Sequence, residues 1–209
     1  MSERVKPTYF RQHRVGDRDQ LLAEWQDLFP EFHPDPSRDG QARRFQGRDL
    51  DPQEAGWVFQ HWICEAFRLC DLRVDDAYTV PLETSERIKE EIDGLVTREW
   101  LGFLLQCKLE KDPVPFDPIA RLHLQVERRP AGTLGLFFAD EFSKAAVELA
   151  AELRPIRVLL FTAEEINWAL TSPGRLDMLR IVRWKWRSAV KYGKLDYGLE
   201  EAAEDERSD

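Results

Sequence analysis

The sequence predicts an α/β fold in which helices sandwich a mixed sheet, and three observations carry that reading. Residues 76–109 hold three successive β-rich stretches joined by short turns, the pattern of a meander. Two later apolar stretches, GTLGLFFA (132–139) and IRVLLFT (156–162), are continuous rather than alternating, as strands covered on both faces are. Each is set off by a segment of helical periodicity, which is the order of a crossover connection.

The elements follow in chain order. Residues 1–16 read as an arm. DRDQLLAEWQDLF then places apolar residues at 21, 22, 25, 28 and 29, a helical spacing, with Asp17 or Asp19 available as a cap. The stretch PEFHPDPSRDGQARRFQGRDLDP (30–52) is turn-rich and too polar for a core element, so it reads as a connector. It separates an N-terminal helical extension (1–50) from the main unit (51–195), and an acidic tail (196–209) ends the chain. PQEAGWVFQHWICEAFRLCDL is the first strong helix; Trp57, Val58, Trp62, Ile63, Ala66 and Phe67 cover enough of it that it should lie against the sheet. DAYTVPLET alternates Tyr78, Val80 and Leu82 as a strand, with Pro81 marking an edge or a bulge. RIKEEIDGLVT and LGFLLQCKL are the second and third strands. DPIARLHLQVERR is a helix with Ile119, Leu122 and Val126 inward, and SKAAVELAAEL and AEEINWAL are the two that follow. In GRLDMLRIVRWKWRSAVKY, Leu176, Leu179, Val182, Trp186 and Val190 form an apolar stripe beneath a basic face.

Composition narrows the classes of function. The chain has 209 residues, 43% of them hydrophobic and 33% charged, enough for one good core and unlike a disordered protein. No apolar run approaches the roughly 18–20 residues that span a bilayer, and MSERVKPTYFRQHR lacks the apolar centre of a signal peptide. Cys64, Cys70 and Cys107 show no zinc-binding spacing and read as reduced thiols, which points to the cytoplasm. A net charge of −9 argues against a free-standing, high-affinity nucleic-acid binder. The charge is uneven, however. Residues 175–194 carry seven bases and one acid, whereas 196–209 carry seven acids and one arginine.

The polar end of the third strand concentrates the chemistry. Gln106 and Lys108 are two apart and share a face. If the hairpin turns at Glu99-Trp100, Asp93 falls opposite Gln106 and one hairpin gathers a carboxylate, an amide and an ammonium; a one-residue slip in register would part them. A hard cation such as Mg2+ takes oxygen ligands of this kind, and a neighbouring lysine can orient water or stabilise charge developing on phosphorus.

Asp93 followed by Gln106-x-Lys108 resembles the signature of the PD-(D/E)XK nuclease superfamily, and QCK resembles its Mrr-type restriction endonuclease branch, in which glutamine replaces the usual acid. EEIDGLV…FLLQCK is similar to that family's strand pair, and VERRPAGTLGLFFADEFSKAAVELA to its following helix, strand and helix. The resemblance spans roughly residues 56–170. It implies a restriction-endonuclease-like αβββαβ core, with the N-terminal extension and the C-terminal basic helix as additions. It further implies that Asp93, Gln106 and the Cys107 carbonyl bind Mg2+ or Mn2+, that Lys108 serves the attacking water, and that Glu65 adds an acid from the preceding helix, with Glu91 as its competitor. Gln125 resembles a position that touches the site. Arg121, Arg128 and Arg129, and on the last helix Arg183, Lys185 and Arg187, are candidate phosphate contacts or simply solvated faces. The expected activity is cleavage of DNA in restriction or defence against mobile elements. Targeting would come from a partner protein or self-association, since no recognition module stands in the sequence. An inactive nuclease fold kept for binding or assembly, and a nuclease directed at RNA, are the alternatives. No membrane association is expected.

Overall fold

A computed structural model describes residues 13–32, 42–82, 85–171 and 177–195, together with Gly198. Most of the N-terminal arm, much of the connector, and nearly all of the acidic tail lie outside the described residues. The first helix, α1 (Arg18–Leu28), starts at Asp17, whose carboxylate accepts from the Gln20 N–H, and it buries Leu21, Trp25 and Leu28 completely. Their indole and alkyl groups pack on Phe59 and Trp62 of α2 (Pro52–Arg68), with Trp25 and Trp62 ring centroids 4.5 Å apart. At about 1.5–3 kcal/mol for each fully buried large side chain, this extension is part of the core rather than an appendage.

The connector read as irregular contains a small hairpin, β1 (Arg44–Phe45) and β2 (Arg48–Asp49). Gln46 and Gly47 both have positive φ, the conformation a two-residue hairpin turn requires. A glutamine before the glycine hid a signal that asparagine would have displayed. Helix α2 then begins with a reciprocal cap: Asp51 accepts from the Glu54 N–H while Glu54 accepts from the Asp51 N–H, with Pro52 in the first turn.

The sheet contains β3 (Arg73–Leu82), β4 (Ser85–Arg98), β5 (Leu101–Lys108), β6 (Leu134–Ala139) and β7 (Val158–Thr162), side by side in that order. The first three form the antiparallel meander, and β5, β6 and β7 are parallel. A mixed sheet results because the short turns return the chain antiparallel, whereas α3 (Phe116–Glu127) and α4 (Lys144–Glu152) are crossovers. Helix α5 (Ala163–Thr171) follows β7, and α6 (Met178–Tyr192) closes the chain.

The register assigns each helix a face. Gly94 and Leu105 are direct partners, and a Cβ on Gly94 would lie 3.1 Å from the Cys64 sulfur of α2. Leu95, Leu104 and Gly135 share the other face, where a Cβ on Gly135 would meet Leu122 of α3 at 2.8 Å. Glycine there lets α3 lie close on the sheet. Ile119, Leu122 and Val126 point inward as expected. Helix α6 does not follow its expected stripe. Met178, Ile181, Val182, Ser188 and Ala189 are buried, while Trp186 is 47% and Val190 66% exposed. Leu176 lies outside the described residues. Both stripes satisfy helical spacing, and the one with small residues at 188 and 189 won the contact with α2 and β7.

Candidate active site

At the β4–β5 turn, Glu99 adopts a left-handed conformation and Arg98 pairs with Leu101, so the register is set by a two-residue connection. Counting back along the ladder, Gly94 pairs with Leu105, and Asp93 falls opposite Gln106. There the regular pairing ends. One Asp93 carboxylate oxygen accepts from the Gln106 amide at 2.5 Å and from the Cys107 N–H at 2.8 Å. The side chain thus takes the place of the next backbone acceptor. Within a strand, the N–H and C=O of one residue project to the same side, so the Cys107 carbonyl is directed toward β4 as well. A charge-assisted hydrogen bond of this sort contributes about 1.5–3 kcal/mol.

Asp93, Gln106 and Lys108 share the face covered by α3. Lys108 is partly exposed, and its ammonium meets Glu110 at 2.5 Å. An exposed pair is worth less than about 1 kcal/mol, so Glu110 holds the amine only lightly. Two buried glutamines brace the β4 backbone. Gln60 of α2 donates to the Asp93 carbonyl, and Gln125 of α3 donates to the Glu91 carbonyl at 3.3 Å. Gln125 thus meets β4 two residues before Asp93. Gln60 was missed; its signal is a polar side chain among the large apolar ones of WVFQHW.

Glu65 is not brought to this group. It lies on α2, against the opposite face of the sheet from the Asp93 side chain, and is 1% exposed. Its oxygens accept from the Val15 N–H at 3.0 Å and from Arg68, and Arg14 lies at 3.5 Å. That carboxylate is neutralised by two guanidinium groups and tethers the segment before α1. Nearby, the His13 ring stands 3.0 Å from His61 and 2.9 Å from Glu24. Burial, aided by His13, pushes the His61 imidazole down to about 3, and burial raises the Glu24 carboxyl. Glu91 is exposed, two residues before Asp93, where β4 pairs with Thr79 of β3 but has run past its ladder with β5.

The candidate phosphate contacts divide. Arg121 and Arg183 are exposed, and Arg187 is half-buried. Arg128 and Arg129 both bind the buried Glu90 carboxylate, Arg129 at 2.9 Å. Lys185, expected on a basic face, is buried; its ammonium pairs with Glu165 and lies 5.9 Å from the Phe161 ring centre. The rotated packing of α6 turned it inward, and it is removed from the candidates.

Among the described residues no three His, Cys, Asp or Glu side chains are gathered to hold a metal ion. The set at the hairpin is of another kind: one carboxylate, one amide and one backbone carbonyl, all oxygen donors suited to a hard divalent cation that keeps most of its waters. The amide can offer its oxygen in place of its NH2 by turning about its last torsion.

A family model described as restriction endonuclease matches residues 55–168. No curated relative matches the chain. Among the solved structures that overlap with it are two of low identity. One is the crystal structure of a protein of unknown function, AF1548, with a TM-score of 0.42 and 15% identity, covering 71% of this chain and 87% of that one. The other is Can2 from Sulfobacillus thermosulfidooxidans in complex with cyclic tetra-adenylate, with a TM-score of 0.44 and 10% identity, covering 71% of this chain and 49% of that one.

Proposed function

The chain belongs to the Mrr-type restriction endonuclease family of the PD-(D/E)XK nucleases, and from that premise we propose that it is a metal-dependent endonuclease hydrolysing DNA phosphodiester bonds. The observation that carries the reading is the Asp93 carboxylate seated against Gln106 and the Cys107 N–H, with Lys108 next along the same face. Asp93, Gln106 and the Cys107 carbonyl would hold Mg2+ or Mn2+, which when bound would polarise a phosphoryl oxygen and acidify water. The chain's own groups do the rest. Gln60 and Gln125 keep the β4 backbone in place, so that the carboxylate does not drift from β5. Lys108 leaves Glu110 to hold the attacking water or the charge growing on phosphorus. Water adds in line and releases a proton to solvent, while the bond to the leaving ester oxygen breaks on the opposite side and that oxygen takes up a proton from solvent.

A net charge of −9 opposes tight binding of nucleic acid by this chain alone, so targeting would fall to a partner protein or to self-association. Restriction or defence against mobile elements is the setting that fits the family. A second reading, an inactive member kept for binding or assembly, is favoured by the neutral Gln106 and by the Lys108–Glu110 contact.

The test is cleavage by wild type and Lys108→Ala in Mg2+ and Mn2+ at low salt, on supercoiled and linear DNA, single-stranded DNA and RNA. Metal-dependent cutting of DNA, reduced on the order of 100-fold or more in the variant, is the expected result. Cutting of RNA alone would replace the substrate. No cutting, with Mn2+ binding absent in calorimetry, would establish the inactive reading.

A further inference from the structure

The β4–β5 tip and α6 enclose a groove of about 730 Å3 that the proposed nuclease chemistry does not use. It lies at the other end of β5 from Gln106 and Lys108: Leu101 and Lys108 are seven residues apart, roughly 23 Å at the usual strand rise. It is also on the other face, because Arg98, Leu101, Phe103 and Leu134 share the side of the sheet that Leu105 and Leu136 turn toward α2. Phe103 and Leu134 form the floor, Val182 and Leu179 of α6 one wall, and the two rims are tryptophans.

Those tryptophans are unusual. Trp100 is 77% exposed and Trp186 47%, although an indole is among the costliest side chains to leave in water. Three guanidinium groups, Arg98, Arg180 and Arg183, line the same groove in a chain of net charge −9. Two carboxylates oppose them. Asp177 is occupied in part as the α6 cap, accepting from the Arg180 N–H at 3.1 Å, and Glu99 remains as an acceptor for a sugar hydroxyl or a base amine.

We infer that this groove is a nucleotide site, with a nucleobase held against Trp100 and Trp186 and its phosphate at Arg98, Arg180 and Arg183. The volume is that of a small-ligand pocket, for which about 300–1,000 Å3 is usual. A flat π system on the indoles and an anion on the guanidinium groups is the ligand chemistry that satisfies both features, and stacking of a base on an aromatic side chain contributes about 1–3 kcal/mol. The same unit occurs as a free nucleotide and as the phosphorylated end of a single strand.

The experiment is a titration in EDTA, followed by tryptophan fluorescence and by calorimetry, of adenosine, AMP and a 5′-phosphorylated oligothymidylate. AMP or the oligonucleotide saturates the protein, adenosine binds at least tenfold more weakly, and Trp100→Ala and Arg183→Glu each weaken binding tenfold or more. Both side chains are exposed, and circular dichroism verifies that the variants are folded. Tighter binding of the oligonucleotide identifies a strand end as the source, and equal or tighter binding of AMP a free nucleotide. Asp93→Asn leaves the titration unchanged, so this site stands or falls apart from the nuclease reading. Absence of saturable binding by any of the three, or binding indifferent to both variants, overturns the inference.

Discussion

Gln106→Glu is the most informative single change, because it converts a hydrogen bond into a repulsion at the point where the metal is expected. In the wild type the Gln106 NH2 donates to the Asp93 carboxylate at 2.5 Å. Glutamate has the same shape but puts a second anionic oxygen where the donor was. One charge-assisted hydrogen bond is lost, about 1.5–3 kcal/mol. Two unit charges 4 Å apart repel by about 4 kcal/mol at an effective dielectric of 20, which the half-exposed side chain relieves by swinging outward. A net cost of about 2–4 kcal/mol lowers the unfolding midpoint by about 5–15 °C for a chain of this size. The pH sign follows. The crowded pair has one carboxyl raised above its unfolded value, so the folded variant binds the extra proton. Its deficit is full above the raised pKa and vanishes below the unfolded one. Two carboxylates also make a harder cation site, so Mg2+ or Mn2+ should restore the lost stability, by about 2.7 kcal/mol at a hundredfold excess over Kd. Thermal unfolding of both proteins at pH 8, in EDTA and in each metal, measures all of this. A variant as stable as wild type in EDTA, or one that gains no more from metal than wild type does, would refute the shared-site geometry.

Other perturbations separate structural from chemical residues. Glu65→Ala leaves the buried Val15 N–H without its acceptor, while Arg68 keeps Asp76 at 2.9 Å, and should cost about 1–3 kcal/mol, while calorimetric Mn2+ affinity stays unchanged; a variant of normal stability with lost affinity would return Glu65 to the metal site. His61 has a depressed pKa near 3, so the unfolded chain takes up its proton first as pH falls. Its contribution is complete above about 6.5 and declines by about 1.4 kcal/mol per pH unit below that. His61→Asn should therefore show a shallower loss of stability between pH 6 and 4 in denaturant titrations; parallel curves would contradict the burial argument. Gly135→Ala drives a methyl to within 2.8 Å of Leu122 and should destabilise by about 1–3 kcal/mol, read from the same titrations, with an unchanged midpoint showing that α3 can move aside.

What the sequence by itself determined was local or periodic. The order of elements followed from apolar spacing, and Asp93 came to face Gln106 because a two-residue turn leaves a hairpin little choice of register. The family signature was legible for the same reason: its residues lie within one hairpin. The tertiary structure alone decided how each helix is rotated and whom each long side chain meets. Helix α6 carries two apolar stripes, and only packing against α2 and β7 chose between them, burying Lys185 on Glu165 and leaving Trp186 on the groove that Trp100 also lines. Glu65 looked like a ligand because it is an acid on an apolar helix, yet its partners, Val15 and Arg14, come from fifty residues upstream. Spacing along a chain constrains which residues share a face. The identity of what covers that face is a long-range contact, set by the free energy of the whole packed core.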